Sequence, residues 1–134
     1  MRRYQRDDGL TLVELIVTVS ILGIAFLAVV GGMTTSILAS DIHRKESTAG
    51  AALRSYAEVV KTTAYSNCST NYSPAYTPPA NFTPTITGIK YWNDATGTWL
   101  ALCAADSGIQ LVSLQVTSSD SRAVETLDVV KRRP

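Results

Sequence analysis

The chain has a single histidine, His43, and no second one with which to build a site. His43 stands among charged residues of a helical stretch and is read as solvated. No Ser-His-Asp or Cys-His set assembles around it. Zinc-ligand spacing and a phosphate-binding glycine loop are both missing. Asp94 and Asp106 occupy turn positions, where Asp is favoured for conformational reasons. They do not approach the six to eight oxygens that calcium takes. The composition therefore argues against an enzyme and calls for no cofactor and no metal. Excess charge is also scarce: 12 basic against 11 acidic residues give +1. Residues 1–9 hold three of the former and two of the latter, so nine of each remain beyond them. That balance offers no electrostatic case for nucleic acid. The short basic tail Lys131-Arg132-Arg133 is read as solvated. Two cysteines, Cys68 and Cys103, suggest one disulfide if their part of the chain is exported.

The most informative absence is local. From Leu15 to Ser40 there is no charged residue. A bilayer-spanning helix needs about 20 predominantly apolar residues. A secretory signal core of roughly 7–15 residues is shorter than this run and ends in a small-residue cleavage site, which is not seen here. A soluble helix would keep a polar face, yet Leu15, Ile16, Val19, Leu22, Phe26 and Val30 point in every direction around the axis. The run predicts a membrane helix. Arg2, Arg3 and Arg6 precede it and outweigh Arg44 and Lys45 beyond it, which places the N-terminus in the cytoplasm. Glu14 stands at the start of the run. Two readings remain open for it from spacing alone: an interfacial residue marking where hydrocarbon begins, or a buried carboxylate that needs a cation.

Gly9-Leu10-Thr11-Leu12-Val13-Glu14-Leu15-Ile16-Val17 resembles the cleavage and methylation signature of type IV prepilins and of the pseudopilins of type II secretion. The resemblance implies a dedicated membrane peptidase that cuts after Gly9 and methylates the new N-terminus at Leu10. Glu14 matches the family's acid, fifth from the cut. The chain departs from the common pattern in starting the mature part with Leu rather than Phe or Met. It has Asp7 and Asp8 before the glycine, and Gly31-Gly32 where many pilins have a proline. The family role also gives Glu14 a partner. The α-amine freed on Leu10 meets the Glu14 carboxylate of a neighbouring subunit in an apolar bundle, where opposite charges attract strongly and an unpaired one is costly.

Beyond the leader (1–9) and the membrane and assembly half of the helix (10–40), Ile42, Ala49, Leu53, Tyr56 and Val60 form a helical apolar stripe. An amphipathic half is expected over 41–64, so that the helix runs from about Thr11 to about Ala64. Residues 65–84 carry Pro74, Pro78, Pro79 and Pro84 and are expected to be a loop. Three Asn-x-Ser/Thr triplets there, from Asn67, Asn71 and Asn81, are attributed to composition and assigned no glycan. Period-two patterning over 85–134 predicts strands at Thr85–Trp92, Thr98–Ala104, Ile109–Ser118 and Ala123–Lys131. Short connections favour an antiparallel meander. Val112, Leu114 and Val116 should face the helical stripe. Trp92 and Trp99 are expected in or at the edge of the core, with stacking on a sugar or other ligand as the second reading. A Cys68–Cys103 bridge would pin the Pro-rich loop to the sheet, worth about 4 kcal/mol in the chain-entropy model.

The expected fold is α+β and pilin-like: a long N-terminal helix, membrane-spanning in its first half, on a small four-stranded antiparallel sheet. The resemblance implies a structural subunit (pilin, minor pilin or pseudopilin) of a type IV pilus-like or type II secretion-like filament. Its partners would be membrane lipid before assembly, the prepilin peptidase, a membrane assembly platform and sister subunits, with a cell-surface or extracellular filament as its destination. The alternative is an unprocessed single-pass membrane protein displaying a small extracellular binding domain.

Overall fold

The computed structural model describes residues 11–72, 74–104 and 106–134. Its elements are α1 (Leu12–Thr62), β1 (Phe82–Asn93), β2 (Thr98–Leu100), β3 (Ile109–Ser118) and β4 (Val124–Arg132). The chain divides after Ser40 into two compact units.

In the first unit α1 begins where local chemistry allows it to. Thr11 is the N-cap. Its hydroxyl accepts from the Glu14 amide at 3.3 Å, and its carbonyl accepts from the Leu15 amide at 3.1 Å. Thr-x-x-Glu is the capping-box pattern, so the first turn is specified by residues 11–14 alone. Every residue from Thr11 to Ser40 is exposed, including Leu22, Ile24, Phe26 and Leu27. Hydroxyls in this apolar surface turn back on the helix: Thr18 donates to the Glu14 carbonyl at 2.7 Å, Ser20 to Ile16 at 2.8 Å and Thr35 to Gly32 at 2.9 Å. Such local bonds let a hydroxyl sit where water is absent. α1 continues without a break through Gly31-Gly32.

In the second unit the helix buries Ala49, Ala52, Leu53, Tyr56, Ala57 and Val60. These positions form one face at three- and four-residue steps. They meet the inner face of the sheet in a single core with Ile89, Tyr91, Val112, Leu114, Val116 and Val129. β3 alternates strictly, with Gln110, Val112, Leu114, Val116 and Ser118 buried. Lys45 fastens the helix to the β3–β4 turn, pairing with Asp120 at 2.6 Å and Asp41 at 2.7 Å.

The sheet is four-stranded and antiparallel as expected, but its order is β2-β1-β3-β4 rather than a meander. β2 forms only a three-residue hairpin arm on β1, ending at Leu100 instead of Ala104. The chain then crosses the end of β1 and returns as β3 on its other side. Cys103 thus lies in the crossing and not on a strand. β1 also starts three residues before Thr85 and includes Pro84. Proline is tolerated there because β2 pairs only with Tyr91–Asn93, which leaves that side of β1 unpaired by any strand among the described residues. A register shift between Ile86 and Gly88 changes the phase of β1, so Ile89 and Tyr91 point into the core. Trp92 therefore faces outward with its cross-strand partner Trp99, and both rings are half-buried on the outer face rather than in the core.

Lys131 departs furthest from expectation. It is 4% exposed, not solvated. Alternation along β4 turns it inward beside Val129, and its ammonium donates to the carbonyls of Val60 (2.8 Å), Lys61 (3.0 Å) and Thr63. The Tyr72 ring lies 5.1 Å away. The last carbonyls of a helix have no partner within it and carry its negative dipole end, so a cation from β4 satisfies both needs. Replacing Lys131 by Met keeps the apolar stem and removes the donors. It should lower the unfolding free energy by about 3 kcal/mol. Urea unfolding followed by Trp fluorescence measures this, and an unchanged midpoint would refute the capping role.

Candidate functional site

Two constellations merit attention, one in each unit. The first is at the β2–β3 crossing. Cys68 and Cys103 are joined by a disulfide with Cα atoms 5.5 Å apart. Cys68 adopts φ +50°, and Cys103 packs on the core. Three residues on, Asp106 gathers four donors. One carboxylate oxygen accepts from the Tyr65 hydroxyl at 2.5 Å and the Gly108 amide at 2.8 Å. The other accepts from the Cys68 amide and the Gln110 side chain, both at 2.8 Å. Gln110 is fully buried; it also donates to the Ser66 carbonyl at 2.9 Å and accepts from the Tyr72 hydroxyl at 2.6 Å. Sequence reasoning placed Asp106 in a turn, and its bond to Gly108 is indeed an Asx-turn. The wider role was not visible, since Tyr65, Cys68 and Gln110 converge on it only through the fold.

Burial works to raise the Asp106 pKa, but hydrogen bonds from Tyr65, the Cys68 amide, Gln110 and the Gly108 amide outweigh it and hold it down at about 2. Burial and the Asp106 carboxylate push the Tyr65 hydroxyl up. Cys68, Cys103 and Asp106 have their ligand atoms within 4.8 Å of one another, the spacing of a metal site. The sulfurs are bonded to each other and each carboxylate oxygen already accepts twice, so the arrangement acts as a strut. It ties the start of the Pro-rich loop to the crossing by one covalent bond and one ionised hub.

The second constellation is the start of α1. Glu14 is the third residue of the helix, exposed in the first turn, where a negative charge faces the positive end of the helix dipole. Among the described residues its carboxylate has no hydrogen-bond partner. Gly9 and Leu10 lie outside the described residues. Behind Glu14 the helix is long and apolar enough to cross a membrane by length and composition. Residues 4–30 match the family model of the prokaryotic N-terminal methylation motif. The chain carries the prepilin-type signature. No curated protein and no solved structure matches the chain. The motif covers the candidate cleavage position and ends at Val30, within the exposed apolar surface of α1. It is a processing and methylation motif of structural subunits, and no part of it describes an enzyme.

The Asp106 hub has a pH signature. A carboxyl held below its unfolded value stabilises the fold fully above about pH 4, and this stability is lost as pH falls through about 2. Acid unfolding of the Asp106→Asn protein should lack that component, and its unfolding free energy at pH 7 should be lower by about 2 kcal/mol. Coincident wild-type and variant stability curves from pH 7 to pH 2 would show that the carboxylate contributes nothing.

Proposed function

We propose that this protein is a prepilin-like precursor, cleaved after Gly9 and methylated at Leu10, which waits in the membrane and is then packed helix to helix into a filament. The observation that carries this reading is the methylation motif over residues 4–30, continuous with a helix whose first half is exposed on every side. Such a surface is stable in lipid or against sister helices and nowhere else. The arginines ahead of the run favour a cytoplasmic N-terminus, so the sheet unit is exported and forms the outer surface of the assembly. Its disulfide suits that compartment. The partners are the processing peptidase, a membrane assembly platform and further copies of the chain or its relatives. The role is structural, and pilus subunit, minor pilin and pseudopilin all satisfy it.

Cleavage creates an amine on Leu10. Glu14 of a neighbouring subunit, already placed at a helix N-terminus, supplies the opposite charge. Breaking one partner of a buried ion pair costs about 3–5 kcal/mol. That is enough to set the stagger between adjacent helices, because any other register leaves both charges unpaired in hydrocarbon.

Mass spectrometry of the native N-terminus separates this reading from an uncleaved single-pass protein with a displayed binding domain. Processing gives a chain that begins at methylated Leu10. A functional chain still bearing residues 1–9 would overturn the proposal. Glu14→Val should insert in the membrane as well as wild type, or better, and should form no filaments. Filaments of normal yield from that variant would eliminate the pairing role.

A further inference from the structure

We propose that Trp92, together with the β1–β2 turn and the β2–β3 crossing, forms a binding subsite for one pyranose ring of an uncharged, β-linked polysaccharide. This is independent of how the N-terminus is processed. The Trp92 ring is turned out of the core and held edge-on by Trp99, with centroids 5.2 Å apart and planes at 66°. A ring fixed in this way stacks on a ligand without losing rotamer freedom. Beside it lies a cavity of about 280 Å³, lined by Trp92, Asn93, Asp94, Ala95, Asp106 and Ser107. This is just below the roughly 300–1,000 Å³ of pockets for drug-sized ligands, which suits a single sugar ring.

The polar groups in the cavity match vicinal hydroxyls, which both donate and accept. The Asn93 side-chain oxygen Oδ1 accepts from the amides of Ala95 (2.9 Å) and Thr96 (3.4 Å), so the side-chain NH2 group is left to donate. Ser107 donates its proton to the Trp92 carbonyl at 2.9 Å and keeps its lone pairs for a ligand. Asp94 supplies an acceptor, and among the described residues its carboxylate is not engaged. Both walls are fixed in place. The turn is closed by the Gly97 amide on the Asn93 carbonyl at 2.8 Å, with Gly97 at φ +62°. The opposite wall is anchored through Asp106. Two carboxylates in the lining repel acidic sugars and phosphates, which selects an uncharged ligand. Rings with equatorial substituents, as in β-linked chains, present a flat C–H face to the indole.

The test uses the full-length protein in a detergent without a sugar headgroup, titrated with chitohexaose and cellohexaose and followed by Trp fluorescence and calorimetry. At least one should bind saturably, while polygalacturonate should not bind. Trp92→Ala and Asp94→Ala should each weaken binding about tenfold or more, the ratio that a lost stacking contact or charged hydrogen bond produces. Trp92→Tyr should retain binding. Circular dichroism checks that Trp92→Ala is folded; if it is not, Asp94→Ala, in an exposed turn, decides the matter. Absence of saturable binding to either oligosaccharide, unchanged affinity in Asp94→Ala, or equal binding of polygalacturonate would each overturn the proposal.

Discussion

An apolar helix surface with no covered face has to be covered from outside the chain. That constraint governs the first half of this molecule. From Leu12 to Leu38 the large apolar side chains of α1 lie exposed, and the hydroxyls of Thr18, Ser20, Thr34 and Thr35 among them bond back to the helix. Lipid and parallel copies of the same helix are the two environments that tolerate this. Moving between them costs little hydrophobic energy, since hydrocarbon and neighbouring side chains are similarly apolar. In the proposed assembly the decision falls to the polar groups at the N-terminal end, and Glu14 is the one charged group there among the described residues.

The second half of the same helix solves a different problem. Its apolar face is narrow and is covered by its own sheet. What keeps this small unit together is a set of ties at one end: Lys131 on the helix carbonyls, the Cys68–Cys103 bond, and Asp106 joining the loop to the crossing. All three fix the segment that leaves the helix, where the Pro-rich loop supplies no regular backbone pairing of its own. The core above them is modest and rich in alanine on the helix side, so helix and sheet approach closely and gain packing from proximity more than from bulk.

Periodicity made the helix legible nearly to the residue, because both its halves are strongly patterned and its first turn carries its own cap. The inward residues of β3 were legible for the same reason. The sheet order was not. Turn lengths favour neighbours in sequence, but β2 is too short to offer β3 an edge, and the chain passes the cross-links at Cys103 and Asp106 before it returns as β3. The outward turn of Trp92 follows from one residue: the shift at Thr87 inverts the alternation that would have turned the indole inward. Lys131 looked like one of three equivalent tail cations. Its burial depends on a helix end some 70 positions away, a distance no local pattern spans. Gly9 and Leu10 rest on the motif and not on observed geometry.

The interrupted alternation of β1 has one more effect. A bare strand margin beside many identical neighbours invites them to zip together through their amides, the route by which crowded β-proteins form runaway aggregates. Here the margin from Phe82 to Lys90 has a proline without a donor and a kink a few residues later, with a lysine at its end. Neighbouring copies cannot readily extend a flat ladder along it. That margin is thereby closed to such pairing, and the other outer edge of the sheet belongs to β4.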